Sequence, residues 1–313
     1  MNYLNLQNAK KYSVLVTGAQ GFIGKNVVIH AQACGHSVSG IGHGNLSSDV
    51  SVDLHDFCNV DSDITVDALS SLDLKPDVII HCASSASVSF SVAHPAADFS
   101  RTVNSTLSVL EFIRLHSPTT KLVLPSSAAV YGSCNSLPLH TNDVLQPVSP
   151  YGLHKKFSED LCIQYGQLFG IHSSIVRLFS VYGCGLRKQL LWDACTKLSS
   201  GLCKFDGTGD ETRDWLHVSD AAKLLLLSSE YSSTTPPIVN GGTESKTSIS
   251  EVVHLISSTI PGSPRPAFSG TIRQGDPKNL IADISLPKKW GWHPLIDVKT
   301  GILEYTNWYK GLS

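Results

Sequence analysis

Val14-Leu15-Val16-Thr17-Gly18-Ala19-Gln20-Gly21-Phe22-Ile23-Gly24 is an apolar, β-branched run that leads into a glycine-rich turn and then into the amphipathic stretch Phe22 to Ala33. Strand, tight turn and helix in that order form the first unit of a nucleotide-binding fold. In such a turn Gly18 permits the sharp reversal, Gly21 lets the backbone approach a pyrophosphate, and Gly24 lets helix and strand pack closely. The helix N-terminus then faces the phosphate charge. Beyond this unit, apolar runs alternate with helical patterns. The predicted strands are Ser13 to Thr17, Ser37 to Ile41, Val50 to Asp53, Val78 to Cys82, Lys121 to Ser126 and Ser174 to Leu178. That alternation predicts an α/β fold with a Rossmann-like, doubly wound parallel sheet.

A second stretch, Lys121-Leu122-Val123-Leu124-Pro125-Ser126-Ser127-Ala128-Ala129-Val130-Tyr131-Gly132, is a strand that ends in two serines. Ligands of open α/β sheets bind at the carboxyl ends of the strands, so a hydroxyl there reaches the crevice. A third stretch, Ser149-Pro150-Tyr151-Gly152-Leu153-His154-Lys155-Lys156, opens a helix with proline in its first turn,. Residues four apart share a helix face, so the Tyr151 phenol and the Lys155 ammonium point the same way. A neighbouring cation favours the phenolate and lowers a tyrosine pKa toward neutrality, as acid-base work on a hydroxyl requires. Such pairs also occur on solvated helices; the glycine turn and the paired serines single this one out.

With these stretches the chain resembles the extended short-chain dehydrogenase/reductases, in particular the NAD-dependent epimerase/dehydratase group acting on nucleotide sugars. The resemblance runs from Thr17-Gly18 through Ser127, Tyr151, Lys155, Arg177-Leu178-Phe179-Ser180-Val181-Tyr182-Gly183 and Arg213-Asp214-Trp215-Leu216-His217-Val218 to Gly291-Trp292-His293-Pro294. It implies that Ser127 holds the substrate oxygen, Tyr151 exchanges its proton, and Lys155 binds the nicotinamide ribose while lowering the tyrosine pKa. By the same resemblance the dinucleotide lies along Gly18, Gln20, Gly21, Phe22, Ile23, Gly42 and His43, with Asp53 and Leu54 at the adenine edge. Cys82, Ala83 and Ser84 form the turn beneath it. Asn104 supports the active-site backbone, ordinary helix polarity being the other reading.

Toward the substrate, the resemblance implies that Arg213 grips a diphosphate, a task suited to a forked, permanently charged side chain. Arg273 contacts the nucleotide and Asp276 its ribose. Arg187 and Lys188 either add positive charge or form an exposed loop pair. Ser180 stands where many epimerases have Asn, which leaves the usual backbone-linked diphosphate contact open. Residues 1–180 are expected to form the dinucleotide domain, with a return segment near 215–240. Residues 181–313, richer in Gly, Pro and Ser, are expected to hold mainly the smaller substrate-binding lobe. The runs Phe99 to Leu115 and Tyr151 to Phe169 are the implied homodimer contacts.

The end of the second predicted strand, Ser39-Gly40-Ile41-Gly42-His43-Gly44-Asn45, departs from the usual NAD pattern. An acidic residue roughly 20 positions beyond the glycine turn normally binds the ribose hydroxyls and repels a 2′-phosphate. Gly42 takes that position here. A glycine leaves room, and His43, Asn45 and Ser47 offer donors to a phosphate, which points to NADP(H); a flexible glycine-rich turn serving NAD(H) is the alternative. Sugar 4,6-dehydratases of the resembled family carry an Asp-Glu pair just after the active hydroxyl, where this chain has Ala128-Ala129, so dehydration is disfavoured,. The leading expectation is NADP(H)-dependent reduction at C4 of a nucleoside-diphosphate keto-sugar. The alternative is an NAD-dependent nucleotide-sugar 4-epimerase. A non-catalytic dinucleotide sensor is disfavoured because Ser127, Tyr151 and Lys155 are all present.

Composition agrees with such an enzyme. At 313 residues and 42% hydrophobic, the chain can bury a large core, in one large domain or two fused ones,. A formal charge of -2 offers no electrostatic case for nucleic acid or an anionic membrane,. The 8 cysteines form no Cys-x-x-Cys pair and no zinc-like cluster with histidine, so reduced thiols, no metal and a cytoplasmic setting are expected,. The first residues lack a signal-peptide pattern, and no run approaches the ~20 apolar residues of a membrane span.

Overall fold

The computed structural model describes residues 11–44, 58–85, 87–133, 137–271 and 279–312. Strand and helix alternate as β1 (Ser13–Thr17), α1 (Phe22–Ala33), β2 (Ser37–Gly42), β3 (Cys58–Asp61), α2 (Val66–Ser70), β4 (Val78–His81), α3 (Val88–Ala93), α4 (Pro95–Phe99), α5 (Ser105–His116), β5 (Lys121–Ser127), α6 (Pro150–Phe169) and β6 (Ser173–Leu178). Then come β7 (Ser180–Tyr182), α7 (Gln189–Ser199), β8 (Lys204–Phe205), β9 (Thr212–Arg213), β10 (Trp215–His217), α8 (Val218–Ser228), β11 (Ile238–Gly241), β12 (Thr247–Ser248), α9 (Ile249–Thr259), β13 (Ala267–Phe268), α10 (Ser285–Lys289) and α11 (Val298–Lys310).

Seven strands pair in the order β3-β2-β1-β4-β5-β6-β11, and every neighbouring pair is parallel. The direction of winding reverses at β1, so the crevice for a ligand opens at the carboxyl ends of β1 and β4. The expected strand Val50 to Asp53 lies outside the described residues. The strand beside β2 is Cys58–Asp61, with Gly42 opposite Asp61. Its short Cys-Asn-Val-Asp sequence carries almost no apolar signal, because it is an edge strand.

Alternation along the central strands divides the interior in two. Val14, Val16, Val78, Ile80 and Val123 bury against α1 and α8, whereas Leu15, Ile79, Leu122 and Leu124 bury against α5 and α6. Both faces of the sheet are covered, which is why these strands read as continuous apolar runs. A third core joins Tyr182, Leu191, Leu198, Phe205 and Trp215 to Val252, Ile256, Ile302 and Tyr305 of α9 and α11. Helix α6 is cut to length by its sequence. The Ser149 hydroxyl accepts the Gly152 N–H, Pro150 fills the first turn, and Gly170 at φ 71° stops the helix,. Among the described residues no helix is long and apolar enough to cross a membrane.

Candidate active site

A cleft of about 1310 Å³ runs from the glycine turn across the ends of β4 and β5 to α7 and β9. At its head the glycines are required by close approach. A Cβ on Gly24 would stand 2.1 Å from the Gly18 carbonyl oxygen, and one on Gly18 would stand 2.7 Å from the Ala83 nitrogen. Gly18, Gly21, Phe22, Ile23, Cys82 and Ser84 all line the cleft. Helix α1 begins at Gly21 without a side-chain cap and without an acidic residue in its first turn, so its N–H groups and dipole are available to an anion,. This cradle fits the pyrophosphate of a dinucleotide. The Cys82 thiol, pushed up to about 12 by burial, stays neutral against it.

Ser127, Tyr151 and Lys155 meet in the middle of the cleft. Ser127 ends β5, and its hydroxyl accepts the Ala129 N–H at 3.2 Å. Tyr151 sits on the first turn of α6, its own N–H donating to Ser91 Oγ at 3.0 Å. Burial raises the Tyr151 phenol above its ordinary value, while a hydrogen bond with Ser127 pulls it down and the Asp98 carboxylate pushes it up. The expected lowering by Lys155 is therefore corrected for the chain by itself. The Lys155 ammonium donates to Ser84 Oγ at 2.9 Å and to the Pro125 carbonyl at 3.0 Å. Burial lowers it to about 8.

Beneath this trio lies a polar chain that the sequence does not announce. Thr17 Oγ1 accepts the Ala83 N–H and lies 2.7 Å from His81 Nδ1, to which it donates when the ring proton is on Nε2,. Ser105 Oγ donates to the Arg101 carbonyl at 2.7 Å, which leaves it to accept from His81 Nε2 at 3.3 Å. These partners hold His81 neutral with its proton on Nε2. Burial, with Lys155 adding to it, pushes the His81 pKa down to about 3. The unfolded chain takes up a proton below about 6.5 and the folded chain does not, so stability falls as pH drops from 6.5 toward 3. Between pH 6.5 and 5 the expected loss is ~2 kcal/mol. Urea unfolding at both pH values should show this loss shrinking in His81→Gln; an equal slope in both proteins would rule it out.

Thr102 also stands where sequence reasoning places Asn104. Its hydroxyl accepts the Ser85 N–H at 3.4 Å, and Thr102 is buried. Asn104 is exposed at the end of the π-helical turn Ser100–Asn104 and does not line the cleft. That turn shifts the helical register between α4 and α5, which a reading of regular helix spacing misses.

At the far end of the dinucleotide cradle the room expected at Gly42 is not there. Gly42 is buried at φ 151°, and a Cβ would stand 2.8 Å from Gln20 Oε1 and 3.1 Å from the Gly18 backbone. Gln20 donates to Asn59 Oδ1, while its own Oε1 is buried with no hydrogen-bond partner. His43 is exposed, but its ring nitrogens face carboxylates, Nδ1 toward Asp61 at 2.9 Å and Nε2 toward Asp63 at 2.8 Å. Those hydrogen bonds raise its pKa, that to Asp63 most. The groups at this corner are thus mostly acceptors and anions. Asp53 and Leu54 lie outside the described residues, as do Asn45 and Ser47; Asp61 and Asp63 are the acids at the end of the third strand, a place sequence alone assigns to a segment eight residues earlier.

On the opposite wall, Ser180 and Arg213 both line the cleft. Ser180 N–H donates to the Asp214 carbonyl at 3.0 Å, and Arg213 Nη1 to the Thr212 carbonyl at 3.0 Å. Lys188, Gln189, Lys197 and Trp215 join them. Arg187 is instead exposed over the Trp308 ring, 5.8 Å from its centroid, and does not line the cleft. Residues 187 and 188 lie on opposite sides of the approach to α7, so only the second points inward. Arg273 and Asp276 lie outside the described residues. Asp214, beside Arg213, is wholly buried and accepts from Thr243 N–H, Thr243 Oγ1, Glu244 N–H and Ala282 N–H at 2.6 to 3.0 Å.

The family model described as NAD dependent epimerase/dehydratase family matches residues 14–242. The chain is 32% identical to the putative UDP-glucose 4-epimerase of Methanocaldococcus jannaschii over 308 residues, covering 95% of this chain and 98% of that protein. Its fold matches the UDP-N-acetylglucosamine 4-epimerase of Methanobrevibacter ruminantium in complex with UDP-N-acetylmuramic acid, with a TM-score of 0.87 at 24% identity over 97% of this chain and 100% of that one. It also matches MoeE5 in complex with UDP-glucose and NAD, with a TM-score of 0.83 at 25% identity over 96% and 100% of the two chains. Glycine cradle, serine-tyrosine-lysine centre and these likenesses agree: the chain belongs to the NAD-dependent epimerase/dehydratase family.

Proposed function

We propose that the protein is an NAD-dependent 4-epimerase of a nucleoside-diphosphate hexose, with UDP-glucose and its C4 epimer as the first pair to test. The observation that carries this reading is the acidic corner at His43, Asp61 and Asp63 beside a filled Gly42. A 2′-phosphate would meet carboxylates and the Gln20 acceptor there, whereas ribose hydroxyls can donate to them,. The NADP(H)-dependent reductase anticipated from Gly42 thereby loses its support. The names of the relative in Methanocaldococcus jannaschii and of the NAD-bound MoeE5 lean the same way.

In this reading Gly18, Gly21, Phe22 and Ile23 hold the pyrophosphate, Ser84 and Lys155 the nicotinamide ribose, and Asp61 and Asp63 the adenosine end. Bound NAD would supply the hydride acceptor and donor for sugar C4. Ser127 orients the C4 hydroxyl by hydrogen bond, and Tyr151 accepts its proton and gives it back to the same oxygen, whichever face of C4 regains the hydride. The positive charge of Lys155, together with that of a bound nicotinamide, would draw the phenol toward its ionised form. Arg213, Lys188 and Ser180 bind the diphosphate from the smaller lobe, residues 181–313 apart from the segment that includes β11. The exposed apolar residues Phe99 and Leu107 near α4 and α5, and Leu153 and Phe157 on α6, form the contact of a homodimer,. Sedimentation should give twice the 33.7 kDa chain mass.

The function is tested by releasing and identifying the nucleotide carried by the purified protein and by following UDP-glucose by NMR. NAD with conversion at C4 supports the reading; an empty protein that consumes NADPH with a keto-sugar overturns it. Cofactor choice has its own check. The wild type should bind NADH more tightly than NADPH, and Asp61→Asn with Asp63→Asn should narrow the ratio about tenfold, because both charges are exposed and partly screened. A wild type that prefers NADPH, or a ratio untouched by the two substitutions, contradicts the assignment.

A further inference from the structure

Glu159 continues the face of α6 that carries Tyr151 and Lys155, one further step of four residues along the helix,. It is wholly buried, and its carboxylate accepts the Ser126 hydroxyl. The same carboxylate is gripped by Arg177, with Nη2 2.8 Å from Oε2 and Nε 3.1 Å from Oε1. Ser126 and Arg177 are register partners on β5 and β6. The acid on the catalytic helix thus binds a rung of the sheet one residue before Ser127. From Arg177 the bonding continues through Nη1 to Tyr131 OH at 3.1 Å and to the Thr141 carbonyl at 2.9 Å. Tyr131 donates to Asn240 Oδ1 at 2.6 Å, and the Asn240 amide donates to the Leu139 carbonyl at 2.8 Å.

A buried ion pair is weak evidence for stability, since desolvation offsets much of its attraction and apolar residues could fill the same space. Its position is more informative. It joins the helix that carries Tyr151 to β6 and, through Ser126, to the strand end that carries Ser127, with Nε, Nη1 and Nη2 of the buried guanidinium all hydrogen-bonded, an arrangement that sets geometry,. Ser127 and Tyr151 line the same cleft; proton exchange through their hydroxyls is directional, and a small displacement of the end of β5 would misalign the two groups.

We propose that Ser126 is a positioning residue that acts through Ser127: held by Glu159, which Arg177 holds in turn, it fixes the Ser127 hydroxyl against Tyr151. The inference rests on the reading of Ser127 and Tyr151 as the proton-transfer pair. Ser126→Ala removes one hydroxyl and leaves the Glu159–Arg177 pair intact. Its kcat for 4-epimerisation is expected to fall about tenfold with KM for the nucleotide sugar unchanged, and Ser126→Thr, which keeps the hydroxyl, should restore it. In a Ser127→Ala background, Ser126→Ala should cost nothing further. An unchanged kcat, or the same tenfold loss in both backgrounds, overturns the proposal. A crystal structure of Ser126→Ala gives a readout that needs no substrate: a displaced or rotated Ser127 hydroxyl supports the proposal, and one left at its wild-type distance from Tyr151 overturns it. A wild type inactive on every nucleotide hexose would count against the function alone.

Discussion

Tyr151→Phe is expected to lower turnover by a factor of about 100 or more while cofactor and nucleotide-sugar affinities stay within about twofold. The substitution deletes only the hydroxyl. The ring keeps its place in the first turn of α6, and the Tyr151 N–H to Ser91 bond is a backbone contact that survives. Lys155 keeps its bonds to Ser84 and Pro125, so the ribose side of the site is unchanged. What is lost is the group that carries the proton of the reacting hydroxyl, a deficit that appears in kcat and not in KM. The measurement is steady-state epimerisation beside calorimetric binding of NAD. Turnover within about threefold of wild type would remove Tyr151 from the mechanism and leave Ser127 to be explained by binding alone.

Asp214→Ala is expected to destabilise the fold by ~4 kcal/mol, lowering the melting temperature by roughly 10 °C for a chain of this size. The residue belongs to the Arg213-Asp214-Trp215 motif yet is wholly buried beside the cleft, with no place for a ligand on its carboxylate. It ties β9 and β10 to residues 243 and 244 after β11, and to Ala282. Truncation leaves the buried Ala282 N–H and the part-buried N–H groups of Thr243 and Glu244 without this acceptor, at about 1 to 3 kcal/mol for a buried group and less where water reaches,. A Cβ on Gly242 would already stand 2.6 Å from Asp214 Oδ2, so the surroundings are too closely packed to offer another acceptor cheaply. Urea and thermal unfolding decide it. A loss below about 1 kcal/mol would show that the carboxylate is not the tie it is here taken to be.

The architecture was legible in the chain because its signals are local. Val14 to Gly24 reads as strand, turn and helix from adjacent residues, and the steric demands on Gly18 and Gly24 are met within a few ångströms. Apolar runs at Val78, Leu122 and Ile175 mark central strands because both faces of a parallel sheet are covered,. Ser127, Tyr151 and Lys155 were readable for the same reason: strand ends and a four-residue helical spacing bring them to the cleft.

The cofactor corner was not legible. Gly42 looks open in a linear reading, and only the packing of β2 against the turn shows that Gln20 and Gly18 fill the space a side chain would take. The acids at this corner come from the next strand, a short edge strand with no apolar signature, and they meet His43 from 18 and 20 residues away. Thr102 replaced Asn104 because a π turn slides the register by a fraction of a turn, and Arg187 turned away onto Trp308 because an exposed loop has no periodicity to orient it.

By itself the sequence determined the parallel sheet, the glycine cradle and the three residues at the centre of the cleft, since each follows from the sterics of adjacent residues or from helical and strand periods. The tertiary structure alone decided which groups surround them: the carboxylates beside His43, the neutral His81 beneath the lysine, and the Glu159–Arg177 pair behind the serine. Those contacts join residues 18 to 64 positions apart, and the burial that sets their charge and spacing exists only once the strands and helices have packed.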